Sequence, residues 1–285
     1  MSLQTLRHAG PPVFPSSCAR LLMAGGVLLA CAGVQAGEES RDGTVSRLAR
    51  VTAEHVLNVC IWPQYYGVSF RNPKSGAITG VDVDMARAFA AELGAELRFV
   101  DTNFLRVDSD LKEARCDVAM TGLAVTPERE ARMDFTRPHL RSDVYAVTTL
   151  NSRRVRRWED IDRPGIRVAV QAGTYHEPLM RERLRQAELV VINPPQTREG
   201  ELEAGRVDVF MSDYPFTRKM QDNHDWVRVI APPSSYRPTN YAYAVRPGDR
   251  AWLQRVDAFV AAIKADGRLR VAARRYGLEP IVLEK

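Results

Sequence analysis

Arg129 follows an apolar stretch and lies close to a helix start, in Thr126-Pro127-Glu128-Arg129. A guanidinium so placed could grip a carboxylate through two parallel hydrogen bonds. Glu128, Glu130 and Arg132 surround it, which leaves a solvated i,i+4 ladder as the second reading. Gly173-Thr174 ends another apolar run and precedes a helix beginning near Glu177. Free N–H groups at a helix start favour an anion, glycine permits close approach, and a hydroxyl adds a donor. A plain strand–helix turn asks for the same residues. Asp213 follows the apolar run 207–211, at the strand end where open α/β sheets bind their ligands. Its carboxylate suits an α-amino group, and equally an N-cap with Pro215 in the first helical turn. Trp62, Tyr65 and Tyr66 share one short loop with Pro63. They could sandwich an apolar side chain, stack on a cation, or roof the core.

These groups need elements to carry them, and the pattern alternates strand and helix. Runs at 56–62, 96–100 and 117–120 read as strands, with helices at 81–93 and 108–114. Asp82 and Asp84 fall in the first turn of 81–93, where carboxylates suit the helix dipole. The pattern then restarts, with strands at 167–171, 188–192 and 207–212 and helices at 177–186, 199–204 and 214–221. Repeated βα units imply largely parallel sheets flanked by helices. Tyr145-Ala146-Val147 and Tyr243-Ala244-Val245 are the same tripeptide on either side of the second unit. The expected architecture is therefore α/β in two lobes: 54–145 in the first, 146–243 in the second, and 244–285 returning to the first. The hinge would consist of the two Tyr-Ala-Val strands. Amphipathic helices at 252–265 and 269–276, punctuated by Ala265-Asp266-Gly267, would pack back on the first lobe.

A chain of 285 residues with 45% hydrophobic and 26% charged content can bury a real core and is not disordered. The formal charge of +5 hints at a polyanion partner. Beyond residue 36, however, 38 basic residues stand against 35 acidic ones and are interleaved with them. The cluster Arg153-Arg154-Val155-Arg156-Arg157 reads as a solvated face, and no nucleic-acid partner is expected. Residues 1–36 carry Arg7 and Arg20 ahead of an apolar stretch and end in Val34-Gln35-Ala36, the pattern of a secretory signal peptide. Leu28-Leu29-Ala30-Cys31 inside it offers a second reading, lipidation at Cys31. Residues 37–53 are polar and expected to be a disordered leader. Cys60 late in one strand and Cys116 opening another would sit at different heights in a parallel pair, so two unpaired buried thiols are expected. His55, His139, His176 and His224 show no ligand spacing, and neither a metal nor a cofactor is expected.

Several stretches taken in order resemble the periplasmic extracellular solute-binding proteins of family 3, which serve ABC importers of polar amino acids. They are Gly80-Val81-Asp82-Val83-Asp84-Met85-Ala86, Cys116-Asp117-Val118-Ala119-Met120, Val125-Thr126-Pro127-Glu128-Arg129, Asp134-Phe135-Thr136-Arg137-Pro138, Gln171-Ala172-Gly173-Thr174, and Gly205-Arg206-Val207-Asp208 with Ser212-Asp213. The resemblance spans residues 57–276 and implies a type II periplasmic binding fold. It also implies a monomer that closes on a carboxylate-bearing ligand and presents itself to an inner-membrane permease. Carried onto this chain, the ligand-binding set is Arg129, Thr174, Asp213, Trp62, Tyr65, Gly173, Tyr175, Gly122 and Ala124. Three positions depart from the family pattern. Ala124 stands where a hydroxyl residue is usual, Tyr175 where a second small hydroxyl residue is common, and Trp62 where an acid often sits. These departures leave the carboxylate grip and put a standard α-amino acid in doubt.

The same fold resembles the periplasmic cyclohexadienyl dehydratases, through Ile161-Asp162-Arg163-Pro164-Gly165 and a Gly-Thr pair near a glutamate. On that reading His176 or Glu177 would act as a general acid on a leaving hydroxyl. The interval from Gly173-Thr174 to Glu177 is one residue longer than in those enzymes, so a binding protein without catalytic residues is the expectation.

Overall fold

A computed structural model describes residues 45–284. The signal-peptide reading, Cys31 and the first part of the polar leader lie outside the described residues. Two main sheets are built on one plan. The first runs Glu96–Asp101, Val56–Ile61, Val118–Ala124, Thr239–Val245 and Asp134–Phe135, with Leu140–Ser142 also paired to Thr239–Val245. The second runs Glu188–Ile192, Arg167–Gln171, Val209–Asp213, Val144–Thr149 and Val227–Ile230. In each, three parallel strands are followed by an antiparallel one. Central strands covered on both faces are mainly apolar, and Val118–Ala124 is buried at every position, with Thr121 its one polar side chain.

The Tyr-Ala-Val copies occupy matching antiparallel places in opposite sheets: Tyr145 in Val144–Thr149 of the second, Tyr243 in Thr239–Val245 of the first. Each tripeptide therefore stays within one sheet and neither runs between the two, as the expected hinge strands would. The chain changes sheet between Ser142 and Val144 and returns across 231–238. Asp143 ties these crossings together: its carboxylate accepts from the backbone N–H of Val144, Tyr236 and Arg237 at 2.8, 2.8 and 2.7 Å.

Helix Val81–Leu93 starts after Gly80 and stops at left-handed Gly94. Asp82, read as a dipole partner in its first turn, is fully buried. Its carboxylate accepts from the N–H of Gly122 at 2.7 Å and the hydroxyl of Tyr243 at 3.1 Å, fixing the helix to two strands. Helices Arg250–Ala265 and Arg268–Arg275 return to the first sheet and bury Trp252, Phe259 and Leu269 there.

Two expectations are corrected. The later part of the polar leader is folded: Arg47–Glu54 is a helix capped by Ser46, with Val51 buried. Its anchor is Asp249, which accepts from the Ser46 hydroxyl and the Arg47 N–H, both at 2.7 Å. That partner is some 200 residues away in the chain, so local polarity concealed it. Cys60 and Cys116 form a disulfide with Cα atoms 5.5 Å apart. Cys60 pairs in register with Ala119, and the parallel-strand argument would hold only if Cys116 lay in the strand. It lies instead in the bend before Val118, where the chain can swing its sulfur across. Among the described residues, no helix is long and apolar enough to cross a membrane.

Candidate functional site

The parallel strands of both sheets deliver residues from their carboxyl ends to one cavity of about 20 Å³. Trp62 and Tyr65 follow Val56–Ile61, Phe104 follows Glu96–Asp101, and Ala124 ends Val118–Ala124 with Arg129 just beyond. From the other sheet come Thr174, Tyr175 and His176 after Arg167–Gln171, Arg198 after Glu188–Ile192, and Ser212 with Asp213 closing Val209–Asp213.

Arg129 lies in the short helix Pro127–Glu130, capped by Thr126. The surface-ladder reading does not describe it. Glu128, Glu130 and Arg132 are exposed, while Arg129 is turned inward with 6% of its surface exposed. The guanidinium donates to the carbonyls of Ala124 at 2.9 Å and Gly173 at 3.0 Å, so it spans both lobes, and it lies 5.5 Å from the Phe104 ring centre. Among the described residues no carboxylate comes within ion-pair distance of it. Burial lowers its pKa to about 10.

Asp213 shows one of its two expected roles, the helix cap. One oxygen accepts from the Phe216 N–H at 3.2 Å and caps helix Tyr214–Asn223. The other accepts from the hydroxyls of Tyr65 and Tyr241, which come from the opposite lobe. Burial, with the nearby Asp213 charge, raises both phenol pKa values well above 10, so each remains a donor. The first lobe adds an aromatic wall. Trp62 stands 4.9 Å from Phe104 and 5.4 Å from Tyr65, centre to centre.

The Gly173-Thr174 turn is partly committed internally. The Gly173 N–H donates to Glu177 at 3.1 Å, and the Thr174 hydroxyl donates to the Gln171 carbonyl at 2.7 Å. Gly173 has φ +75°, and a Cβ there would meet the Leu105 N at 2.8 Å, so this glycine permits the lobes to touch. Gly122 stands behind Tyr65 rather than on the cavity; a Cβ would meet that ring at 2.7 Å. Tyr175 stacks on His176 with ring centres 4.0 Å apart. Burial, with Arg198 nearby, holds the His176 imidazole neutral and its pKa well below the usual value. Glu177 is bound to Gly173 and to Arg181 at 3.0 Å, and lines the outer cleft instead of this cavity.

Phe104, Arg198, Ser212 and Tyr241 escaped the sequence reading. Arg198 had a signal: Thr197 caps its helix after a strand, as Thr126 does for the helix of Arg129. Tyr241 had none, because only pairing of its strand beside Ala124 brings it to Asp213.

Comparison with known proteins finds relatives over most of the chain. The chain is 31% identical over 244 residues to a cyclohexadienyl dehydratase of Pseudomonas aeruginosa, covering 85% of this chain and 88% of the other. It is 26% identical over 212 residues to ABC transporter arginine-binding protein 1 of Escherichia coli, covering 71% and 85%. The crystal structure of an ancestral amino acid-binding protein, a precursor of cyclohexadienyl dehydratase, superposes with a TM-score of 0.74 at 28% identity, over 81% of this chain and 99% of that one. Residues 57–279 match the family described as bacterial extracellular solute-binding proteins, family 3. With two like-built sheets meeting at a cleft and that match across most of its length, the chain belongs to this family of solute-binding proteins.

Proposed function

We propose that the chain captures a small carboxylate-bearing solute between its lobes, outside the cytoplasmic membrane, and delivers it to an ABC importer. One observation carries this reading: Arg129 is buried on the cleft, and among the described residues no carboxylate lies beside it. A buried cation without a counter-charge is costly. Its remaining donor capacity matches a planar carboxylate, which would supply the missing charge. Asp213, held across the cleft by two phenols, suits an ammonium group on the same solute. The lobes would close about Asp143 and the 231–238 segment, desolvating the ligand from both sides.

Titration calorimetry of the purified protein against amino acids and small organic acids tests the reading. At least one carboxylate ligand should bind, and the corresponding amide or ester should bind far more weakly. Equal affinity for acid and ester would refute it.

A second reading is a dehydratase-like lyase, favoured by the similarity to cyclohexadienyl dehydratase and by His176 on the cavity wall. A neutral buried imidazole is a weak general acid, and Glu177 is engaged elsewhere, so binding without chemistry is the better-supported function. Incubation with prephenate or arogenate decides between them, since only the lyase yields an aromatic product.

A further inference from the structure

Arg198 is a second arginine on the same cavity, 2% exposed. One terminal nitrogen donates to the Met211 carbonyl at 2.8 Å and the Ser212 hydroxyl at 3.3 Å. Its Nε is buried with no hydrogen-bond partner. The guanidinium lies 4.5 Å from the Phe216 ring centre and 5.4 Å from that of Phe210, contacts that hold it without neutralising it. Among the described residues no carboxylate comes within ion-pair distance of it. Glu199 and Asp213 are the acids that act on it from farther off, and Glu199 is half-exposed and outside the cavity.

The charge balance of the lining is then simple. Arg129 and Arg198 are cations and Asp213 is the one anion among the lining residues, leaving a single excess positive charge. A neutral zwitterion would leave that excess in place, and a cationic solute such as arginine would double it. A solute with two carboxylates and one ammonium cancels it. Resting on the carboxylate-binding reading above, we propose that Arg198 is a specificity-determining residue that receives a second carboxylate, and that the solute class is the amino dicarboxylates. Arg129 takes the α-carboxylate, Asp213 the ammonium, and Arg198 the distal acid. Selection then comes from an unpaired charge that punishes every solute lacking the second acid.

The test is calorimetry on the whole protein with glutamate, aspartate, glutamine, asparagine, arginine and glutarate, repeated on Arg198→Met, Arg198→Lys and Arg129→Met. Thermal unfolding of each variant checks that it folds. In the unaltered protein, glutamate or aspartate should bind roughly 100-fold more tightly than its amide, the size of one desolvated charge pair, with arginine and glutarate weaker than the best acid. Arg198→Met should abolish the preference for acid over amide, weakening the acid and tightening the amide, because the unpaired charge that penalises the amide is gone. Arg198→Lys should keep part of the preference and serves as the readout should the methionine variant not fold. Arg129→Met should weaken acids and amides alike. Tighter binding of arginine, of a neutral amino acid or of glutarate overturns the proposal and leaves the carboxylate cleft standing, as does an equal loss for acid and amide in Arg198→Met. Failure of every carboxylate to bind the unaltered protein overturns the cleft reading and this proposal together.

Discussion

The two sheets share one strand plan, yet they furnish the cleft differently. The first lobe presents Trp62, Tyr65, Phe104 and Tyr241, with Arg129 as its single charge; the second presents Arg198, Asp213, Thr174 and His176. One wall is aromatic and the other polar, so closure brings an apolar surface over fixed charges and strengthens every interaction between them. The first lobe also carries the one disulfide among the described residues. The Cys60–Cys116 disulfide and the Asp82 network with Gly122 and Tyr243 lie within it. A rigid aromatic wall against a charged wall held by hydrogen bonds allows specificity to change in one lobe without rebuilding the other.

Breaking this disulfide should have the largest effect. The disulfide closes a loop with a sequence separation of 56, and losing it in a Cys60→Ala/Cys116→Ala double variant should cost about 4 kcal/mol. Native-state hydrogen exchange should show the loss in 56–124 and leave 167–213 protected. Equal loosening of both lobes would refute the asymmetry. The next effect falls on the charge of the aromatic wall. Arg129→Met should cost about 3 kcal/mol in binding while raising the melting temperature of the protein measured without added solute. An uncompensated buried cation is thereby exchanged for an apolar side chain. A variant that lost stability together with affinity would make Arg129 a structural residue.

The pattern of residue types revealed the architecture because each sheet is assembled from local apolar runs. The strands Arg167–Gln171 and Glu188–Ile192 and the helix Val81–Leu93 agree residue for residue with their apolar spacing and turn signals. Arg129 and Asp213 were legible for a similar reason, standing just beyond apolar strands whose carboxyl ends face a cleft in this class of fold. What stayed hidden depends on partners distant in the chain. Arg198 reads as an ordinary helix-start arginine until Ser212 and Phe216 pack against it, and Ser46 reads as leader until Asp249 accepts its hydroxyl. Cys116 was misread by two residues of strand boundary, enough to reverse the disulfide argument.

A smaller effect separates contact between the walls from strain within one of them. Gly173 and Gly205 both have positive φ, +75° and +68°, but only at Gly173 does a Cβ meet the other lobe, at Leu105. Alanine at either position carries a similar left-handed penalty of about 1 kcal/mol. Gly173→Ala should in addition weaken ligand binding about tenfold by holding the lobes apart, roughly 1.4 kcal/mol, whereas Gly205→Ala should bind normally. Matching affinities in the two variants would remove the Gly173–Leu105 contact from closure.

The smallest effect at neutral pH, and one that grows on acidification, belongs to the polar wall. His176 is buried and its pKa is held well below the usual value, by burial first and by Arg198 next. Above the unfolded value near 6.5 neither state of the chain binds this proton, so the histidine contributes no pH dependence there. Below that value the unfolded chain takes up the proton while the folded chain does not, and stability falls by up to about 1.4 kcal/mol per pH unit until the folded pKa is reached. Urea unfolding at pH 7.5, 6.5 and 5.5 should therefore show a steeper acid loss in the unaltered protein than in His176→Gln, whatever the absolute stability of the variant. The carboxylates are the same in both proteins, so their contribution cancels in the difference. Parallel curves would mean that the polar wall admits water enough to protonate His176, and that the cleft is less completely desolvated than its cavity of about 20 Å³ implies.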